Sequence, residues 1–426
     1  MFSLGPPAQL VCDPIRHAMG HSDQSVKQAM SQLPKVMLLS WSLPPGISGS
    51  CTVVHNLAMQ FSSHEMVAVG AYWAGFAPVS WRPGWPALLY ISVQPPFHWR
   101  GGRWIRWAQW PWIVLRACWT MLVRRCEVIL AVFPDDCFLL AGYLAALVTR
   151  KPLYVYFHNT YVENRDDSWL ARWLQRRVFE KARHVFVMSE GMERFYKAAY
   201  PGLSCSALVH SCNEILPEPA AVAIPSLHSP LRLVLFGNIN ASNMDAAARI
   251  CRLVRTTADV DLTLICGNDR TYLKKVGFEG ERIRIVRFSD SLLESLRQAD
   301  VVLLAHGFSG EISSVEIATI FPSRTIEALI SQRPIVAHVP KDCFLAEYLR
   351  RHDCALVVDE PDVARLKQSI DRLRDDADLR RHLVLQALIA AQQFQASLVA
   401  AHLRRVIQDG MPRPQGKVHT CISPTQ

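Results

Sequence analysis

The chain has 426 residues, half of them apolar, which is too long for one ordinary domain and enough to fill two cores. Its net charge of +9 favours anionic partners, and its 12 cysteines are scattered without a CxxC pair, several inside apolar runs, which argues for reduced thiols rather than a disulfide framework. The most hydrophobic stretch, 108–123, is interrupted by Pro111 and Arg116 and falls short of the roughly 18 to 20 apolar residues that a membrane span requires.

Residues 1–33 mix Gly, Pro and Ser without a period and read as a loosely ordered extension; no basic segment followed by an apolar run marks a signal peptide. Aliphatic and β-branched runs then alternate with helical patterns, and strands are expected at 36–40, 66–70, 87–92, 128–132, 153–158 and 185–188. Such alternation predicts a parallel sheet with crossover helices over 34–215. The Pro-rich, charge-poor stretch 216–230 reads as a linker. A second series over 231–385 has expected strands at 231–236, 262–266, 283–286, 301–304, 335–339 and 355–358. Helices at 386–410, expected to cross back to the first half, and a disordered tail at 411–426 complete the chain. The predicted fold class is α/β, with two tandem Rossmann-like domains whose sheets face each other across a ligand cleft.

The most informative segment is FPSRTIE at 321–327, followed by SQRPIVA at 331–337. If Ser323 caps a helix, the N–H groups of Arg324, Thr325 and Ile326 point at the positive end of its dipole, where a diphosphate is favoured. Arg324 adds a permanent charge, and Glu327, three residues on, can accept hydrogen bonds from a ribose diol. Ile326, Leu329 and Ile330 face the core. The competing reading is a surface ion pair between Arg324 and Glu327, worth about 0.2–0.5 kcal/mol.

With two Rossmann-like halves and FPSRTIEALISQRPIVAHVP in the second, the chain resembles GT-B-fold glycosyltransferases of the retaining type called family 4, over residues 35–407. That family has FPxK, a Glu and GxP in this segment; here Arg324 stands for the Lys and Gln332 for the Gly. The resemblance implies that Glu327 binds the donor ribose. A second family carboxylate, eight positions earlier, corresponds to Thr319 here, leaving Glu316 as the nearest acid and a candidate catalytic residue. The family also places an Arg and a Lys after the first strand of the second domain, where this chain has Gly237-Asn238-Ile239-Asn240-Ala241-Ser242-Asn243. Charge on the leaving diphosphate would then be met by Arg324, helix N-termini and Arg270. Gly237 and Asn238 are candidates for lining the donor site, although asparagines in such a loop are more commonly turn formers and caps.

In the first half, the loop 42–50 follows the first strand and carries Gly46 and Gly49, which permit close backbone approach to a donor diphosphate. His158 ends the run LYVYFH and is followed by Asn159, which takes the place of an Asp in the family; the resemblance implies that this histidine faces the donor sugar or acceptor. Ser189-Glu190-Gly191 reads first as a helix cap and then as an acceptor contact, and His210 and Ser211 occupy a comparable strand-end position. From His98 to Arg125 there are six arginines, six tryptophans and no acid. This segment suits an anionic membrane surface or, equally, a crossover helix with tryptophans in the core; no nucleic-acid motif accompanies it.

The expected activity is transfer of a sugar from a nucleoside-diphosphate sugar to an acceptor hydroxyl, a retaining hexosyltransferase-like reaction in glycan or polysaccharide biosynthesis. Alternatives are a catalytically degenerate subunit serving binding or assembly, and a GT-B-like sugar-nucleotide epimerase. Catalytic candidates are His158, Arg324 and Glu316; donor-binding candidates are Glu327, Arg324, Ser323, Thr325, Gly237, Asn238 and Gly49. The resemblance implies no metal and no cofactor beyond the donor, so Asp135-Asp136 and Asp166-Asp167 are read as solvated loop acids. The expected location is cytoplasmic, peripheral at the inner membrane face, with a lipid-linked glycan as acceptor.

Overall fold

A computed structural model describes residues 33–44, 49–74, 84–95, 102–164, 168–218, 226–288, 291–309 and 312–411. Residues 1–32 of the expected extension, residues 412–426 of the expected tail, part of the linker, Gly46 and Asp166-Asp167 lie outside the described residues. The first half contains β1 (Val36–Ser40), β2 (Met66–Trp73), β3 (Ala87–Gln94), β4 (Val128–Phe133), β5 (Leu153–Phe157), β6 (His184–Val187) and β7 (Cys205–Ala207). They form one seven-stranded sheet in the order β3-β2-β1-β4-β5-β6-β7, and every pair is parallel. The second half contains β8 (Leu231–Phe236), β9 (Val260–Ile265), β10 (Ile283–Val286), β11 (Val301–Ala305), β12 (Ile335–His338) and β13 (Leu356–Val358). These make a six-stranded parallel sheet in the order β10-β9-β8-β11-β12-β13.

Central strands such as VMLLS, VILAVF and VVLLA are buried at every position, because helices cover both faces and leave no side for alternating polar residues. Each fully buried Val, Leu or Ile there contributes about 1.5–3 kcal/mol. β7 is the strand that the sequence reading lacked: its three residues, Cys-Ser-Ala, are too short and too polar to register as an apolar run.

In each sheet the strand order reverses next to the first strand, between β1 and β4 and between β8 and β11, which is where an open parallel sheet leaves a crevice at the strands' carboxyl ends. Crossovers from β3, β4, β5 and β6 all run toward β7, so their right-handedness places their helices on one face of the first sheet. The helix Gly49–Ala58 belongs to the opposite face, where the C-terminal helix Ala396–Asp409 packs beside it. That return is fastened by Cys212 N to Phe394 O at 2.8 Å, Ala396 N to Cys212 O at 2.9 Å and Arg404 Nε to Glu65 Oε1 at 3.0 Å.

The two halves are stitched together below the cleft, and residues 34–426 form one compact unit. Ser189 caps the helix Glu190–Ala199 by accepting from Met192 N at 3.0 Å, and its hydroxyl donates to Thr319 O at 2.5 Å. A Cβ on Gly191 would lie 2.7 Å from Phe344 Cβ, so only glycine allows this approach. Cap and closely packed glycine therefore serve the seam between the halves. On its rim Glu190, Arg351, Glu347 and Arg194 alternate in charge.

Candidate functional site

A cavity of about 660 Å³ opens between the carboxyl ends of the two sheets. The first half supplies Gly49, Phe133, His158, Asn159, Thr160 and His210; the second supplies the loop Asn240-Ala241-Ser242, His306, Glu316, Ser323 and Arg324. Of the residues chosen from sequence, Gly49, His158, Glu316, Ser323 and Arg324 thus line one cavity. Gly237 stands directly behind Arg324, whereas Asn238, Thr325 and Glu327 are not part of the cavity lining.

The segment 321–327 folds differently from its expected capping scheme. The helix is Arg324–Leu329, only six residues, and Ser323 is itself helical in φ and ψ with no side-chain cap bond. The N–H of Thr325 donates to Pro322 O at 2.9 Å and that of Ile326 to Ser323 O at 3.0 Å, so neither is free for an anion. A tight turn after Pro322 consumes these donors. The Ser323 hydroxyl instead faces Gly49 across the cleft, 3.2 Å from where a Cβ on that glycine would sit. Thr325 is fully buried, with Oγ1 unpartnered. Ile326, Leu329 and Ile330 do face the core.

Arg324 and Glu327 do not neutralise each other by direct contact: Nη1 of the first and Oε2 of the second are both buried without a hydrogen-bond partner. Burial lowers the Arg324 pKa from its ordinary value, and Glu327 opposes that drop through space. Burial pushes the Glu327 carboxyl up to about 7, against the pull of its own backbone N–H and of Arg324. The guanidinium rests on Gly237, whose φ of +97° is open to glycine and whose Cβ, if present, would lie 2.9 Å from Nη1 and 3.0 Å from Cζ.

Amides hold the rest of the 237–243 loop rigid. Asn238 Oδ1 accepts from Gly267 N at 2.8 Å, Asn268 Oδ1 accepts from Ile239 N at 2.8 Å, and Asn243 Oδ1 accepts from Asn240 N at 2.8 Å. Asn238 therefore joins two loops rather than lining the cavity, and Asn243 makes no helix cap. Arg270 is away from the cleft, bonded to Ile285 O at 2.9 Å beside a different hollow.

On the opposite side, His158 and His210 are 1% and 5% exposed, their ring centroids 5.8 Å apart, and all four ring nitrogens lack partners. Burial lowers the His158 pKa well below its ordinary range, reinforced by His210, and lowers that of His210 to about 4. Both are therefore neutral imidazoles at neutral pH, each able to donate one hydrogen bond and accept another. Ser211 Oγ beside them is also buried and unpartnered. Such a concentration of unsatisfied buried polar atoms on a cavity wall is what a polar ligand would complete.

Glu316 is 4% exposed and fully engaged: Oε1 accepts from Asn159 Nδ2 at 2.7 Å, while Oε2 accepts from Thr160 N at 2.8 Å and from the Thr160 hydroxyl. It ties the short helix Ser314–Thr319 of the second half to the strand-end loop carrying His158. Thr319, at the position of the missing family carboxylate, gives its hydroxyl to Val315 O at 2.7 Å.

His306 was not among the sequence candidates, although VVLLAH ends β11 just as LYVYFH ends β5. It is 2% exposed and bonded through Nε2 to Ile317 O at 2.9 Å. Among the described residues, no group of three or more His, Cys, Asp or Glu could hold a metal ion. Asp135 is not a solvated loop acid: it is 2% exposed, caps the helix Asp136–Thr149 at Phe138 N and pairs with Arg106 at 3.2 Å. Nine of the described cysteines, among them Cys137, Cys251 and Cys266, are free thiols.

No protein-family model matches the chain, and no curated protein matches its sequence. Among solved structures, it is similar to Anabaena Alr3699/HepE in complex with UDP and glucose, at 13% identity over 88% of this chain and 99% of that one, TM-score 0.62. Sucrose-phosphate synthase from Thermosynechococcus elongatus is similar at 14% identity over 88% and 98%, TM-score 0.65. A protein assigned as a UDP-N-acetylglucosamine 2-epimerase from Listeria monocytogenes is similar at 11% identity over 88% and 96%, TM-score 0.53. The likeness spans both halves, and the fold is GT-B.

Proposed function

We propose that this chain is a glycosyltransferase that moves a sugar from a nucleoside-diphosphate sugar to an acceptor hydroxyl. The observation that carries the reading is Arg324, a half-buried guanidinium on the wall of an interdomain cleft whose Nη1 is buried and unpartnered. A buried cation is costly unless an anion pairs with it, and a diphosphate is an anion of suitable size and charge. The ligands named for HepE, UDP, UDP-glucose and glucose, support a nucleotide-sugar donor.

In this reading Arg324 pairs with the diphosphate and stabilises the charge that grows on it as the bond to the sugar's anomeric carbon breaks. Glu327, one turn behind and outside the cavity lining, would receive the ribose diol only where the donor extends past Arg324; Ser323 and Gly49 face the same phosphates, and Gly237 gives Arg324 room. Thr325 and Asn238 serve as supports of the site rather than as ligands. The neutral imidazoles of His158 and His210 donate to and accept from sugar hydroxyls, which orients the anomeric carbon toward the acceptor. The acceptor proton passes to the departing diphosphate, giving retention without a protein base. Glu316, saturated by Asn159 and Thr160, acts as a positioning residue for the His158 loop. No metal is assigned a part. The acceptor is a glycan or lipid-linked glycan at the inner membrane face, in polysaccharide biosynthesis.

An epimerase reading is favoured by the Listeria neighbour. Incubating the protein with a panel of nucleoside-diphosphate sugars, with and without candidate acceptors, separates the two. Acceptor-dependent release of nucleoside diphosphate that is lost in Arg324→Ala supports transfer. An isomerised nucleotide sugar formed without acceptor refutes it.

A further inference from the structure

The helix Trp110–Val123 is apolar on both sides. Ile113, Ala117 and Met121 are buried against the first sheet, while Trp112, Leu115, Trp119 and Leu122 recur at three- and four-residue intervals on the outer side, 51%, 63%, 63% and 68% exposed. A surface helix normally turns a polar face outward, and one that is apolar all round has its outer face covered by something.

This stripe continues across neighbouring elements. The helix Gly102–Ala108 exposes Trp104, the helix Asp136–Thr149 exposes Val148, and the helix Trp169–Lys181 exposes Trp169 and half-exposes Trp173. The crossover argument puts these helices in one layer. Trp110–Val123 packs against Asp136–Thr149, which packs against Trp169–Lys181, and the rings of Tyr143 and Trp173 meet at 6.2 Å. Cations accompany the tryptophans. The Arg116 guanidinium lies 4.6 Å over the Trp112 ring, and Arg124, Arg125 and Arg150 are exposed at the amino-terminal edge of the sheet.

We infer that this helix layer docks on an anionic lipid bilayer, lying in the headgroup region. Tryptophan rings settle at the boundary between headgroups and acyl chains, and arginines meet anionic phosphates there, each basic side chain strengthening binding roughly fivefold. No helix among the described residues is long and apolar enough to cross a membrane, so the contact is parallel to the surface. A second copy of the chain is a poor occupant, because the same arginines would oppose each other across a self-complementary contact. The inference is read from exposure and charge and does not require the transferase reading.

The test is co-sedimentation of the full chain with phosphatidylglycerol–phosphatidylcholine vesicles and with phosphatidylcholine vesicles alone, at low and high salt. Binding to the anionic vesicles, weakened by salt and absent from the neutral ones, is expected. Trp112→Ser/Trp119→Ser and, separately, Arg124→Glu/Arg125→Glu should each lower partitioning at least about tenfold with melting unchanged. The charge-reversal pair covers the case in which the tryptophan pair fails to fold. Absence of binding to anionic vesicles, or binding unaltered in both variants, overturns the inference. So does a dimer that dissociates in the tryptophan variant while the wild type ignores vesicles. Nucleotide binding is followed in parallel, so a failure of this surface and a failure of the donor site are read separately.

Discussion

Gly237→Ala tests the support of Arg324 and can be worked through in numbers. The added Cβ would stand 2.9 Å from Nη1 and 3.0 Å from Cζ, whereas non-bonded heavy atoms settle near 3.5–4.0 Å, so the guanidinium must retreat by roughly 0.5–1 Å. The φ of +97° adds backbone strain of about 1–3 kcal/mol for a residue with a side chain. Gly202→Ala is the control, since its φ is +88° and its Cβ would meet nothing within 4 Å. Both variants should melt a few degrees lower than wild type. Only Gly237→Ala should weaken nucleoside-diphosphate binding, by about 1.5–3 kcal/mol or roughly 10- to 150-fold, the worth of a hydrogen bond to a charged group. Isothermal titration with the nucleotide selected by a thermal-shift screen supplies the comparison. An unchanged affinity in Gly237→Ala, or equal losses in both variants, would refute the placement of Arg324 in the donor site.

The raised Glu327 pKa makes stability pH-dependent: in the unfolded chain this carboxyl ionises near 4.5, in the folded one near 7, so its contribution is complete below about 4.5 and is lost as pH rises through about 7. Chemical denaturation across that window should show the wild type losing at most about 3 kcal/mol relative to Glu327→Gln; parallel pH profiles would contradict the burial of this carboxylate. Glu316→Ala strands the Thr160 N–H and the Asn159 amide at the seam and should cost about 2–4 kcal/mol, with turnover falling more than donor affinity. If the melting temperature stays put, the clamp is not structural. Gln332 holds a φ of +62° in the turn before Arg333, where relatives of the resembled family have glycine. Gln332→Gly should raise stability by up to about 1 kcal/mol, strain relief of about 1–2 kcal/mol exceeding the added freedom of the unfolded chain. A lower melting temperature would show that the strain is not there.

Strand runs such as LYVYFH and VVLLAH were readable because a strand buried on both faces must be apolar along its whole length, a constraint each run satisfies locally. β7 escaped notice because an edge strand of three residues needs no such pattern. Arg324 and Gly237 could be picked out singly, one by its motif and the other by its strand-end turn, but their contact joins positions 87 residues apart. Sequence spacing cannot report that.

What the sequence by itself determined is the α/β alternation, the division into two halves and the concentration of polar residues at strand ends, all of which follow from short-range patterns of apolar side chains. Tertiary structure alone decided what those polar residues do. Ser323 loses its capping role to a tight turn, Glu316 becomes a clamp on the opposite half, and Arg324 and His158 are left with buried, unpartnered nitrogens on facing walls. Hydrogen-bond satisfaction depends on which groups the fold brings within about 3 Å of one another, and here those groups come from opposite halves of the chain.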